Sequence, residues 1–154
     1  MVSKSTVVQN IWKNFYDRLK NSVTQITLSD SSVQTIQFYS AAFPDREFET
    51  KSNYPILIVN SPDINWEDFT FTKKWLIGTI AIDIFTTKAE AADLFIDAII
   101  DAIETYRGDF RDLGLMNINL DSTTKDEFFR GDIKVHVKSC TFSFRYIFDK
   151  TNTY

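Results

Sequence analysis

A chain of 154 residues is long enough for one domain with a proper core and too short for two comfortable ones. A net charge of −4 and a pI near 5.0 leave no basic footprint for gripping nucleic acid. The one cysteine, Cys140, excludes an internal disulfide framework and any multi-cysteine zinc site.

Apolar residues at 44% and charged residues at 25% are ordinary globular values, but an aromatic share of 15%, with fourteen phenylalanines, is heavy. The surplus suits either a Phe-rich core or a surface that meets a partner. The opening "MVSKSTVVQN" has no apolar core of signal-peptide length, and no run approaches a membrane span. A soluble protein in a reducing cytoplasm is expected.

Taken in order, residues 5–23 predict a helix, with Val8, Ile11, Trp12, Phe15, Leu19 and Val23 at helical spacing. "VQTIQFY" (33–39) and "YPILIV" (54–59) predict strands, and the polar stretch 41–53 with Pro44 predicts a loop or arm. Residues 61–74 begin as a turn and end in alternation at Phe69 and Phe71. "WLIGTIAIDIF" then sets Leu76, Ile80, Ile82 and Ile84 on one face and Thr79, Ala81 and Asp83 on the other. Residues 68–86 read as one long strand, bent near Lys73 and Lys74, or as two consecutive strands. Gly78 within it marks a bulge or close packing.

A second helix follows, with Thr87 and Glu90 at capping-box spacing and Gly108 placed as its stop. Ala92, Phe95, Ile96, Ile99, Ile103 and Tyr106 form its apolar stripe. Glu90, Asp93, Asp97, Asp101 and Glu104 fall in an arc of roughly 80° opposite the stripe, without one base among them. Leu94, on the flank of that arc, is expected to be exposed. Acids spaced i, i+4 repel by a few tenths of a kcal/mol per pair. Such a face is either plainly solvated or built to meet or repel a large partner.

"LMNINL" (115–120) predicts a short strand, residues 121–131 a long turn, and residues 132–148 a second strong strand. In that last strand Ile133, Val135 and Val137 are odd, whereas Cys140, Phe142, Phe144, Tyr146 and Phe148 are even. The change of phase predicts a bulge or bend near Lys138 and Ser139. The result is an α+β fold, a mainly antiparallel sheet of about five to six strands with two helices on one face. Residues 1–154 form a single domain with a flexible tail at about 149–154.

Catalytic options are few, and no catalytic residue, metal site or cofactor is assigned. His136, the sole histidine, alternates with Lys134 and Lys138 and reads as an exposed strand residue. Cys140 opens an apolar phase and reads as a buried structural thiol. The four glycines are too scattered for a phosphate loop. Asp93, Asp97 and Asp101 stack along a helix axis rather than around a cation. Two RGD tripeptides follow from turn and helix-end glycines. Adjacent aromatics Phe128 and Phe129 cannot both point inward from a hairpin tip, and Trp66 and Phe69 raise the same question. Packing beneath a loop is the rival reading for all of them.

The N-terminal helix, "YPILIV", the strand-to-helix unit "WLIGTIAIDIFTTKAEAADLFIDAIIDAIE" and the final "VHVKSCTFSFRYIF" together resemble tail terminator (tail-completion) proteins of long-tailed bacteriophages. The likeness covers most of the chain and is one of layout. It implies a virion protein of the tail end or neck, assembled in the host cytoplasm as a homohexameric ring. The ring would end tail-tube polymerisation and offer a surface to a head-completion or connector protein. DNA would pass through the channel without specific binding, and no membrane is involved. Ring closure needs two different patches per subunit. Trp66, Phe69, Phe128 and Phe129, with Arg130 as a charged anchor, are the interface candidates. The acidic helix face would either line the channel, where like charge repels DNA, or meet basic residues of a neighbour. Two alternatives stay open. One is another head–tail connector or tail tube protein. The other is a small-ligand-binding or enzymatic α+β domain, in which Asp83 would sit in a polar pocket.

Overall fold

Val7, Ile11, Phe15 and Leu19 recur every four residues, and α1 (Val7–Ser22) buries that row completely. The computed structural model describes residues 7–40, 54–68 and 73–149. The arm expected over 41–53, the Phe69–Thr72 stretch and the tail beyond Asp149 lie outside the described residues. The strands are β1 (Gln25–Thr27), β2 (Val33–Thr35), β3 (Gln37–Ser40), β4 (Ile56–Val59), β5 (Asp63–Asp68), β6 (Lys73–Thr86), β7 (Leu115–Arg130) and β8 (Ile133–Asp149). Two further helices are α2 (Ala89–Thr105) and α3 (Arg107–Asp112).

Six strands make the main sheet in the order β3-β4-β6-β8-β7, with β5 also paired to β6. Among the described strands only β3 and β4 run parallel; every other pair is antiparallel. The α+β expectation is met, and the helices share one face. Leu57 and Val59, Leu76, Ile80, Ile82 and Ile84, and Cys140, Phe142 and Phe144 meet the buried rows of α1 and α2 in one cluster. Burial of this kind contributes about 25 cal/mol per Å² of apolar surface, so this layer is the main stabilising term.

The predicted strand 33–39 is in fact two. Val33–Thr35 pairs with Gln25–Thr27 in a separate small sheet, while Gln37–Ser40 joins the main sheet beside β4. Ile36, buried between them, is where the chain changes ladders. Of the two readings of 68–86, two consecutive strands is the nearer, but the first lies earlier, over residues expected to begin as a turn: β5 and β6 pair antiparallel from Asp63↔Thr79 to Asp68↔Lys74. Strands β4 and β5 therefore lie end to end along the same edge of β6. Gly78 is there for close packing.

The sequence predicted a stop at Gly108 and a turn over 121–131, and both expectations fail. Helix α2 ends at Thr105, Tyr106 caps it, and α3 begins at once with Gly108 in its first turn. The chain leaves α3 at Gly114, whose φ of 94° is the left-handed conformation glycine favours. The capping box is not formed. Lys88 is the N-cap without a side-chain bond, and the Glu90 carboxylate instead accepts from the Ser29 N–H at 2.8 Å and its hydroxyl at 3.0 Å. That contact ties the β1–β2 hairpin to the start of α2.

Strand β7 runs all the way to Arg130, and the true turn is Gly131-Asp132, opened by Gly131 at φ 60°. Nearly all of Asn119 to Phe129 is exposed on both faces, Phe128 excepted. A strand that buries neither face shows no alternation, so its sequence looks like a loop. The register irregularities also sit in β7, between Met116 and Asn119 and between Leu120 and Ser122. Strand β8 pairs with β6 without a slip from His136 to Asp149. Its change of phase needs no bulge. Cys140, Phe142, Phe144 and Tyr146 face the helices, while Ile133, Val135 and Val137 face the other way, into a second small cluster with Tyr54, Ile56 and Ile58. One regular strand is apolar on one side early and on the other side late.

Candidate interface surfaces

The β7–β8 turn brings two neighbouring aromatics to the end of the sheet, and strand alternation divides them. Phe128 lies opposite Val135 and turns onto the small cluster, its ring edge-on to Phe85 at 6.3 Å between centroids. Phe129 lies opposite Lys134 and is 67% exposed, the most exposed of the large apolar residues among those described. Arg130 stands near Tyr54. Burial pushes that phenol up to about 12, and the Arg130 charge opposes the shift. The backbone of Trp66 is placed, opposite Leu76 in the β5–β6 ladder. Its side chain, like the whole of Phe69, lies outside the described residues.

Beside the tip, Glu127 accepts from Lys134 at 3.2 Å and faces His136 Nδ1 at 3.4 Å. The Lys134 hydrogen bond and charge, with a smaller contribution from the nearby imidazole, hold the Glu127 carboxyl below its ordinary value. His136 is half-buried rather than exposed, because it sits on the helix side of the sheet beside buried Thr86.

All five acids of α2 are exposed, as the pattern predicts, yet they differ in partners. Glu90 holds Ser29, Asp93 pairs with Lys138, and Glu104 binds the Arg107 guanidinium through its Nε and Nη2 groups. No described residue pairs with Asp97 or Asp101. Leu94 is not exposed; it packs half-buried on the core.

The apolar stripe of α2 ends at the junction with α3, and there a cleft opens that the sequence reading missed. It has a volume of about 410 Å³ and lies between α3 and the start of β7, with Arg107, Arg111, Asn117 and Asn119 in its walls. Arg107 is fixed twice, by Glu104 and by donating to the Ile118 carbonyl at 2.7 Å. Arg111 is exposed and has no described partner. Asn117 stands at φ 53°, a left-handed conformation that asparagine tolerates better than most residues. Together with the neighbouring bulge it re-aims this end of β7. The one available signal was Arg107 and Arg111 at i, i+4 spacing, which carries no meaning until α3 is known to be a helix.

No family model matches this chain, and no curated protein matches it significantly.

The remaining candidate groups are structurally engaged. Asp83 is half-buried on the face away from the helices, where it accepts from Ser139 Oγ and from Asn60 Nδ2 at 2.9 Å. Cys140 is fully buried; burial, and then the Asp83 charge, push its thiol up to about 12. Because the folded state favours the protonated thiol, its contribution to stability is complete below the ordinary thiol value. That contribution is lost as pH rises toward about 12. A disulfide-exchange reagent at about pH 8 is expected to label Cys140 only at the rate of unfolding. Rapid stoichiometric labelling of the folded protein would contradict this placement. Among the described residues no helix is long and apolar enough to cross a membrane.

Proposed function

We propose that this protein is a structural component of a phage tail, a tail terminator whose copies close into a ring on the tube end and present a joining surface to the head. The observation that carries the reading is Phe129, a large aromatic ring held 67% exposed at the end of a long hairpin. Water is a poor environment for such a ring, and contact with a partner recovers that cost. Phe128 and Arg130 brace the tip from the opposite face. The acidic outer side of α2 supplies a second, chemically different surface, as a head-to-tail ring contact requires. Acting by contact rather than by turnover agrees with a thiol kept protonated and an aspartate occupied by hydrogen bonds.

The test is the solution mass of the purified protein, alone and mixed with tail tubes. Rings in solution, or protomers that mark tube ends and stop their growth, support the reading. Protein that stays monomeric and ignores tubes removes it. Phe129→Ser is expected to change folding stability by less than about 0.5 kcal/mol, since the ring is exposed. The same variant is expected to weaken ring closure or tube capping. Unchanged capping by a correctly folded variant would exclude the tip from the contact.

A further inference from the structure

We infer that the cleft between α3 and β7 receives the Asp97–Asp101 row of α2 from a second copy of this chain. This rests on the ring-forming reading above and specifies one of its contacts. Asp97 and Asp101 are four residues apart on α2, which places them about 6 Å apart along the axis and about 40° apart around it. Arg107 and Arg111 have the same spacing on α3, so the cationic pair repeats the pitch of the anionic pair. Asp109 and Asp112 fall on other sides of α3 at about 100° per residue and do not interrupt the match.

The four side chains are also suited in their present engagement. Asp97 and Asp101 have no described partner within the protomer, whereas Glu90, Asp93 and Glu104 do. Arg107 uses its Nε, Nη2 and Nη1 groups on Glu104 and Ile118, which holds the guanidinium in place. Only some of its five N–H donors are thereby consumed. Arg111 beside it is unengaged among the described residues, and Asn117 and Asn119 add amides to the same walls. An arginine fork suits carboxylates, which it binds through paired N–H groups. The acidic row and the cleft are different patches of one protomer, as a head-to-tail contact requires. The acidic face is then neither wholly solvated nor wholly given to a channel. Its middle belongs to a neighbour.

The experiment compares wild type, R111E, D97K/D101K and the triple variant that carries all three changes. Oligomeric mass is read by sedimentation, free or on tube ends, wherever the wild type associates. R111E alone, and D97K/D101K alone, are each expected to raise the concentration for half-assembly by about tenfold or more. Mixing these two variants, or combining them in one chain, is expected to restore assembly, because each altered surface then meets its new complement. Added salt is expected to weaken the wild-type contact. All three positions changed are exposed, so melting temperatures serve as the folding control. Wild-type assembly with R111E assembling equally well, or no rescue in the mixture, overturns the contact and leaves the ring reading standing. A wild type that never associates, free or with tubes, overturns both.

Discussion

Phe15→Ala is expected to lower folding stability by about 3–5 kcal/mol, a loss comparable to the entire margin of many domains. Phe15 is fully buried, and its ring lies 4.9 Å from that of Phe110 and 5.8 Å from that of Phe144. It is thus the point at which α1, α3 and β8 are held together, and neither the sheet nor α2 can collapse far enough to fill the space. The cost has two parts, the lost transfer free energy of the ring and the cavity left behind. Phe15→Leu, which keeps most of the volume, is expected to cost less than about 1.5 kcal/mol. Denaturant titration checks both, with an unchanged slope showing that the midpoint shift reports stability. A loss under about 1 kcal/mol for the alanine variant would mean that α1 is not seated as described. Because α3 forms one wall of the arginine cleft, the same variant is expected to loosen self-association beyond what the unfolded fraction explains.

The second large effect is expected at Gly78. An added Cβ there would stand 2.7 Å from the Asp63 carbonyl oxygen and 2.7 Å from Phe144 Cζ. The phenyl ring can swing away, but the carbonyl belongs to the β5–β6 ladder next to the Ile64↔Gly78 pair and can move only with its strand. Gly78→Ala is therefore expected to destabilise by about 1–3 kcal/mol, the usual range for overpacking a filled core. Combining it with Phe144→Leu removes the ring contact but not the carbonyl contact. The two changes are then expected to cost less together than the sum of their separate effects. Strict additivity would show that the ring is not part of the conflict. The same stretch of β6 also carries the Trp66 backbone of β5 in its ladder.

What could be read beforehand was whatever buries one regular face. The rows Ile11–Phe15–Leu19, Leu76–Ile80–Ile82–Ile84 and Phe95–Ile99–Ile103 repeat at helical or strand period, and each lies in the core. The hydrophobic pattern alone therefore determined the two long helices, the two strong strands and the α+β layering. So too with the acids of α2, which face water because the opposite face is apolar. The opposite directions of Phe128 and Phe129 followed from strand alternation, though not which of them would point inward.

Tertiary structure decided the rest, wherever an element's stability comes from a neighbour distant in sequence. Strand β7 exists through its pairing with β8, and its polar middle buries nothing that a pattern could reveal. The two phases of β8 looked like a kink because a single chain cannot show that its sheet has apolar contacts on both faces. Glu90 was drawn from a capping box by a serine sixty-one positions away. Helix α3, too short to stand alone, is held by Phe110 against Phe15, and only then do Arg107 and Arg111 line one cleft. Local periodicity records which side of an element is dry; it carries no information about which other element makes it so.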